Sequence, residues 1–139
     1  MPSLPEFLKF LTVSPPSGLI IAKKKLMTKK ARMELSQMKR VSEIFEVTKN
    51  SDVVDFFKAV DKVLKQNAWL VLDIKTADIP GWLYEQMRTL GENGHLYNKD
   101  QDKDIRMGDS RVLAIISEEN LEECPFETFQ ADFGIVFRT

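Results

Sequence analysis

Trp69-Leu-Val-Leu-Asp-Ile74 is an unbroken apolar run interrupted only near its end by a carboxylate. An apolar stretch of this length is the pattern of a strand covered on both faces. An amphipathic stretch follows, Trp82-Leu-Tyr-Glu-Gln-Met-Arg-Thr-Leu90, in which Leu83, Met87 and Leu90 fall on one side. A buried strand carrying Asp73 at its carboxyl end, then a helix, is how α/β domains place an acidic magnesium ligand at the mouth of a parallel sheet.

Working outward, four more segments read as strands: Phe7–Val13, Glu43–Val47, Arg111–Ser117 and Gly134–Arg138. Pro15-Pro16-Ser17-Gly18 reads as a turn after the first of them. Helical patterns lie between. One runs from Gly18 to about Arg40. The second has Ser51 as N-cap, with Val53, Phe56, Phe57, Val60 and Leu64 at helical spacing. The third runs from Ile79 to Leu90, with Asp78 as N-cap and Pro80 in the first turn. Within the polar excursion Gly91–Ser110, His95–Tyr97 is expected to pair with Ile105–Met107 as a hairpin. Strands alternating with helices imply right-handed crossovers and a layered sheet.

The chain has 139 residues, 43% of them apolar. That suits one folded domain spanning residues 1–139 with a core of its own. No apolar run is long enough to cross a membrane, and the amino terminus lacks the pattern of a secretory signal. Cys124 is the only cysteine, so no internal disulfide can form, and the expected address is cytoplasmic. Charge is lopsided. Residues 1–40 carry nine Lys/Arg against two acids, whereas residues 41–139 carry eleven against nineteen, which sums to the net charge of −1. A solvated basic helix and a docking face for an acidic partner both fit that imbalance.

Three motifs fail on inspection. Asp100, Asp102 and Asp104 open like a calcium loop, but Ile105 and Arg111 stand where Gly and a bidentate Glu are required. Asp132-Phe-Gly134 has the letters of a kinase magnesium motif without its companions. His95 and Cys124 are single, so no zinc set can be assembled from them, and the acidic run Glu118–Glu123 argues against a reactive thiol at Cys124. No metal site and no catalytic residue is assigned.

The order of elements, together with Trp69-Leu-Val-Leu-Asp73, Ile79-Pro-Gly-Trp-Leu83, Met87-Arg-Thr-Leu-Gly-Glu-Asn-Gly94, Arg111-Val-Leu-Ala-Ile115 and Pro125-Phe-Glu-Thr-Phe-Gln-Ala-Asp-Phe-Gly-Ile-Val136, resembles the large subdomain of a dynein-type AAA+ module. The motifs cover residues 65–137. The resemblance implies a P-loop NTPase-like, three-layer α/β sandwich on a five-stranded, mainly parallel sheet, with nucleotide at the strand tips. No C-terminal helical lid is expected after the last strand.

The phosphate-binding half of that site departs from the pattern. A P-loop needs Gly-x-x-x-x-Gly-Lys-Ser/Thr. The matching window has Ser14, Leu19, Ile20 and Ile21 at the four signature positions, and Pro15 and Pro16 lack amide protons. Asp73 is followed by Ile74, where hydrolytic members carry Glu. Ser117 or Glu118 stands in place of a γ-phosphate-sensing Asn, and Arg138 lies near the position of a trans-acting arginine. The resulting expectation is a non-catalytic structural or protein-docking domain, cytoplasmic and cytoskeletal or ciliary, without a cofactor. Lys23, Lys24, Lys25, Lys29, Lys30, Arg32, Lys39 and Arg40 would form the face for an acidic protein. Two alternatives stay open: a nucleotide-binding ATPase holding Mg-ATP through Ser14, Ser17, Gly18 and Asp73, and a nucleic-acid-binding domain using the basic helix. Leu70, Val71, Leu72, Phe56, Phe57, Val60, Leu83, Met87, Val112, Leu113 and Ile115 are the expected core.

Overall fold

The apolar runs around Trp69–Ile74 and Val112–Ser117 lie side by side within a five-stranded sheet in the computed structural model of the chain, which describes residues 3–13 and 15–139. In chain order the elements are α1 (Leu4–Val13), β1 (Ser17–Ala22), α2 (Lys25–Ser36), β2 (Val41–Val47), α3 (Val53–Lys65), β3 (Trp69–Ile74) and α4 (Gly81–Asn93). There follow β4 (His95–Asn98), β5 (Lys103–Arg106), β6 (Val112–Ser117), α5 (Glu118–Glu123), a 3-10 turn (Phe129–Asp132) and β7 (Ile135–Arg138). The large sheet has the order β2-β3-β6-β1-β7, and every pair in it is parallel. β4 and β5 form a separate antiparallel hairpin.

Strands β1, β3 and β6 are buried at every residue, as expected when helices cover both faces. Alternate side chains divide between two cores. One face packs Leu70, Leu72, Val112 and Ala114 against α3, α4 and the hairpin, with Phe56, Val60, Leu83 and Met87 at its centre. The other packs Trp69, Val71, Leu113 and Ile115 against Phe7, Leu8 and Leu11 of α1 and Ala31 and Leu35 of α2. The fold is therefore α/β with a parallel five-stranded sheet between helical layers, and all eleven expected core residues are buried. The hairpin forms, but its register is displaced from the expected pairing with Ile105–Met107: His95 lies opposite Arg106, Leu96 opposite Ile105 and Tyr97 opposite Asp104, and Met107 is outside the strand.

The amino-terminal third corrects the sequence reading. Phe7–Val13 belongs to a helix, not a strand. Phe7, Leu8 and Leu11 fall on its buried side, while Phe10 and Val13 point to solvent. The first strand is instead Ser17–Ala22, so the segment taken as the start of a long helix is the sheet's fourth position. Gly18 sits in that strand because α1 crosses it closely. A Cβ there would lie 3.2 Å from both Leu11 Cδ1 and Phe7 Cζ. Arg111 fastens α1 down: its Nε donates to Leu11 O at 2.8 Å and its Nη1 to Gly108 O at 2.8 Å. Two caps also differ. Asp52 rather than Ser51 caps α3, accepting from Val54 N at 2.8 Å. Pro80 rather than Asp78 precedes α4, with no side-chain cap.

Candidate functional site at the carboxyl edge of the sheet

Ligands of open α/β sheets bind beyond the carboxyl ends of the strands, where the chain leaves for opposite faces. Here that point is β1, which leads to α2 on one face, while β6 beside it leads through α5 and the 3-10 turn to β7. The crest brings together Lys23 after β1, Asp73 and Lys75 at β3, Ser117 at β6 and the end of β7.

The turn from β1 into α2 is only Lys23-Lys24. A loop of that length cannot wrap a row of phosphates with successive backbone amides. One of its amides is already committed, since Lys23 N donates to Thr139 Oγ1 at 3.2 Å. The sequence-assigned phosphate residues lie elsewhere. Ser17 and Gly18 are buried in β1, at its amino end and away from the crest, and Ser14 falls outside the described residues. The structure does not bring Ser17 and Gly18 together with Asp73: by parallel register Asp73 is level with Ile20, three residues beyond Ser17 and two beyond Gly18, and β6 lies between the two strands.

Asp73 is where the sequence placed it, but its chemistry is occupied. Parallel register sets it beside Glu46 of β2, so two carboxylates share one face of the sheet. Neighbouring strands run about 5 Å apart, close enough for these charges to repel strongly if unpaired. Arg32, reaching in from α2, resolves the conflict: its Nη1 donates to Glu46 Oε1 at 2.5 Å and to Asp73 Oδ2 at 2.8 Å. Lys75 Nζ approaches the same Asp73 oxygen at 3.1 Å. The Asp73 side chain is only 2% exposed, so this pairing is what makes a buried carboxylate tolerable. Hydrogen bonds to Glu46 and then Asp73 hold the Arg32 guanidinium above its ordinary pKa, and the Arg32 hydrogen bond holds Glu46 below the usual carboxylate value. Asp73 Oδ1 is buried with no partner among the described residues.

Sequence reading missed this cluster. Arg32 was assigned to a solvent-facing partner surface, yet the structure turns it inward. Arg32 follows Thr28 by four residues, which puts the two on one side of α2, and Thr28 is buried.

Beside the cluster is a cavity of about 210 Å³ lined by Lys25, Thr28, Lys29, Ile74, Lys75, Ser117 and Asn120. That is below the roughly 300 Å³ at which small-molecule sites begin. Its lining is basic, with three lysines and no carboxylate. Ser117 Oγ accepts from Asn120 N at 3.1 Å, so this serine caps α5. Arg138 is bound locally, Nη2 donating to Gln130 Oε1 at 3.0 Å. Cys124 is buried, and that burial raises its thiol pKa. No His/Cys/Asp/Glu group capable of holding a metal ion occurs among the described residues.

The remaining cations form a surface. Lys23, Lys24, Lys25, Lys29 and Lys30 are exposed, and none makes an ion pair among the described residues. Leu26 and Met33 stand among them, 75% and 63% exposed. Lys39 and Arg40 lie beyond α2, at the opposite, amino end of the sheet, so they do not join this face.

Compared with protein-family models and with curated proteins, the chain matches none. No helix among the described residues is long and apolar enough to cross a membrane.

Proposed function

We propose that the chain is a non-hydrolytic docking domain, similar to the large subdomain of a dynein-type AAA+ module, that presents the α2 lysines to an acidic protein surface. The observation that carries this reading is the Arg32–Asp73–Lys75 cluster. A carboxylate that must hold magnesium cannot also serve as the buried counter-ion of two cations, and displacing both would leave charges stranded in the sheet. The two-residue turn after β1 supports the same conclusion, because it supplies no cradle for a triphosphate. The parallel five-stranded sheet and the hairpin inserted between α4 and β6 support the AAA+ comparison. Five unpaired lysines with two exposed apolar residues among them supply charge for steering and an apolar contact for retention. A cytoskeletal lattice, acidic on its outer surface, is the partner this comparison supplies.

The decisive experiment pairs two assays. Co-sedimentation with microtubules at low salt is expected to retain the protein, and Lys29→Glu/Lys30→Glu to release it. Calorimetric titration with Mg-ATP is expected to show no heat of binding. Micromolar Mg-ATP binding lost in Asp73→Ala would overturn the reading in favour of a nucleotide-binding protein. Failure to sediment, with binding of duplex DNA that weakens steeply in salt, would favour the nucleic-acid alternative instead.

A further inference from the structure

An apolar concavity lies at the other end of the sheet from the crest. It is a cavity of about 470 Å³ between α1 and the end of α2, with Leu4, Leu8, Met38 and Trp69 among its walls and Lys9, Glu34 and Arg40 around them. The volume falls within the range of small-molecule sites. Trp69 begins β3 and is 1% exposed, and the Arg40 guanidinium lies 5.6 Å from its ring centre. A cation held over an indole face is positioned without a carboxylate partner. Among the described residues neither Arg40 nor Lys9 makes an ion pair, so two free cations face one free carboxylate, Glu34.

We propose that this groove binds a small amphipathic monocarboxylate, its apolar chain against Leu4, Leu8, Met38 and Trp69 and its carboxylate on the Arg40 fork. The chemistry selects that class in two steps. The apolar walls favour a hydrocarbon body over a sugar or a nucleotide. The excess of cations favours one negative charge, and the planar guanidinium fits a carboxylate through two parallel hydrogen bonds. Exposed lysines on α2 offer charge without an apolar enclosure, so a simple anion does not distinguish the two places but a chain-bearing one does.

The test uses the whole chain, isotopically labelled, with decanoate as probe and backbone and indole N–H shifts as readout. Decanoate is expected to shift the Trp69 indole and the amides of Leu8 to Thr12, with half-saturation near a millimolar or below. Acetate, which has the charge alone, is expected to leave them unmoved. Decanol is expected to bind more weakly, and decylamine more weakly still. Arg40→Gln is expected to weaken decanoate about fivefold or more while leaving decanol unchanged, a difference that a folding defect cannot produce. The proposal is overturned if decanoate moves only α2 lysine amides, if Arg40→Gln weakens both probes equally, or if the same shifts appear on raising protein concentration alone. The last result would make a second copy of the chain the occupant.

Discussion

Replacing Arg32 with Met tests whether Asp73 is a structural counter-ion. The substitution keeps most of the side-chain stem but removes the guanidinium that bridges Asp73 and Glu46. Breaking a fully buried ion pair costs about 3–5 kcal/mol. Two features reduce that here. The Arg32 side chain is 34% exposed, so water already screens part of the interaction, and Lys75 stays at 3.1 Å to share the Asp73 charge. The Glu46 half contributes little, because that side chain is 54% exposed. About 2 kcal/mol is the expected loss. For a chain of this length the unfolding entropy is roughly 0.3 kcal/mol/K, so Tm should fall by about 7 °C at neutral pH.

A double-mutant cycle isolates the pair. Asp73→Asn removes the buried charge and leaves Arg32 with Glu46, so it should cost about 1 kcal/mol. Once Asp73 is neutral, adding Arg32→Met strands nothing. The double variant should then lose well under the sum of the singles, with a coupling of about 1–2 kcal/mol in urea unfolding. A Tm drop below about 2 °C for Arg32→Met, or additive losses in the double variant, would refute the counter-ion role.

Three further outcomes follow from the same geometry. Gly91→Ala should cost about 1–3 kcal/mol in urea unfolding, because its Cβ would lie 2.1 Å from Asp132 O, whereas Gly81→Ala on the same helix meets nothing within 4 Å and should cost little. Glu46 has its pKa lowered by the Arg32 hydrogen bond, so its stabilising contribution is complete above the unfolded carboxylate value near about 4.3 and is lost as pH falls through the folded value. Urea midpoints of the wild type and Glu46→Gln should therefore differ at pH 7 and converge in acid. Cys124, whose thiol pKa is raised by burial, should react with iodoacetamide at pH 8 at least about tenfold slower than a free thiol, and catch up in denaturing urea.

The central strands were legible because their burial is written in local composition. Trp69–Ile74 and Val112–Ser117 are apolar at almost every position, and that pattern has few readings besides a doubly covered strand. The amino-terminal third was not legible for a specific reason. Phe7-Leu-Lys-Phe-Leu-Thr-Val13 places apolar residues at spacings that fit either a strand or a helix, and only the sheet beneath decides that Phe7, Leu8 and Leu11 face inward. Once that segment is a helix, Ser17–Ala22 must be the strand, and Gly18 becomes a packing residue in place of a loop residue. Asp73 was legible as a strand-end carboxylate, but its partners were not. Glu46 reaches it through strand register and Arg32 through the placement of α2, and no sequence spacing encodes either.

The same tertiary placement explains why the crest is cationic. Asp73 of β3 and Glu46 of β2 lie side by side next to α2, and their charge is taken up by Arg32 and Lys75. The remaining lysines of that region therefore have no internal anion to neutralise them, so their field extends into solvent. Exposed charges of this kind act within a Debye length of about 8–10 Å at moderate ionic strength, and they govern how fast a partner arrives more than how long it stays. Retention must come from apolar contact, for which Leu26 stands in the first turn of the same helix and Met33 about two turns further along. Neutralising the lysines should thus slow association and flatten its salt dependence, while truncating Leu26 and Met33 should hasten dissociation. Separate effects on the two rates are what an electrostatically steered docking face requires, and a nucleotide pocket has no reason to produce them.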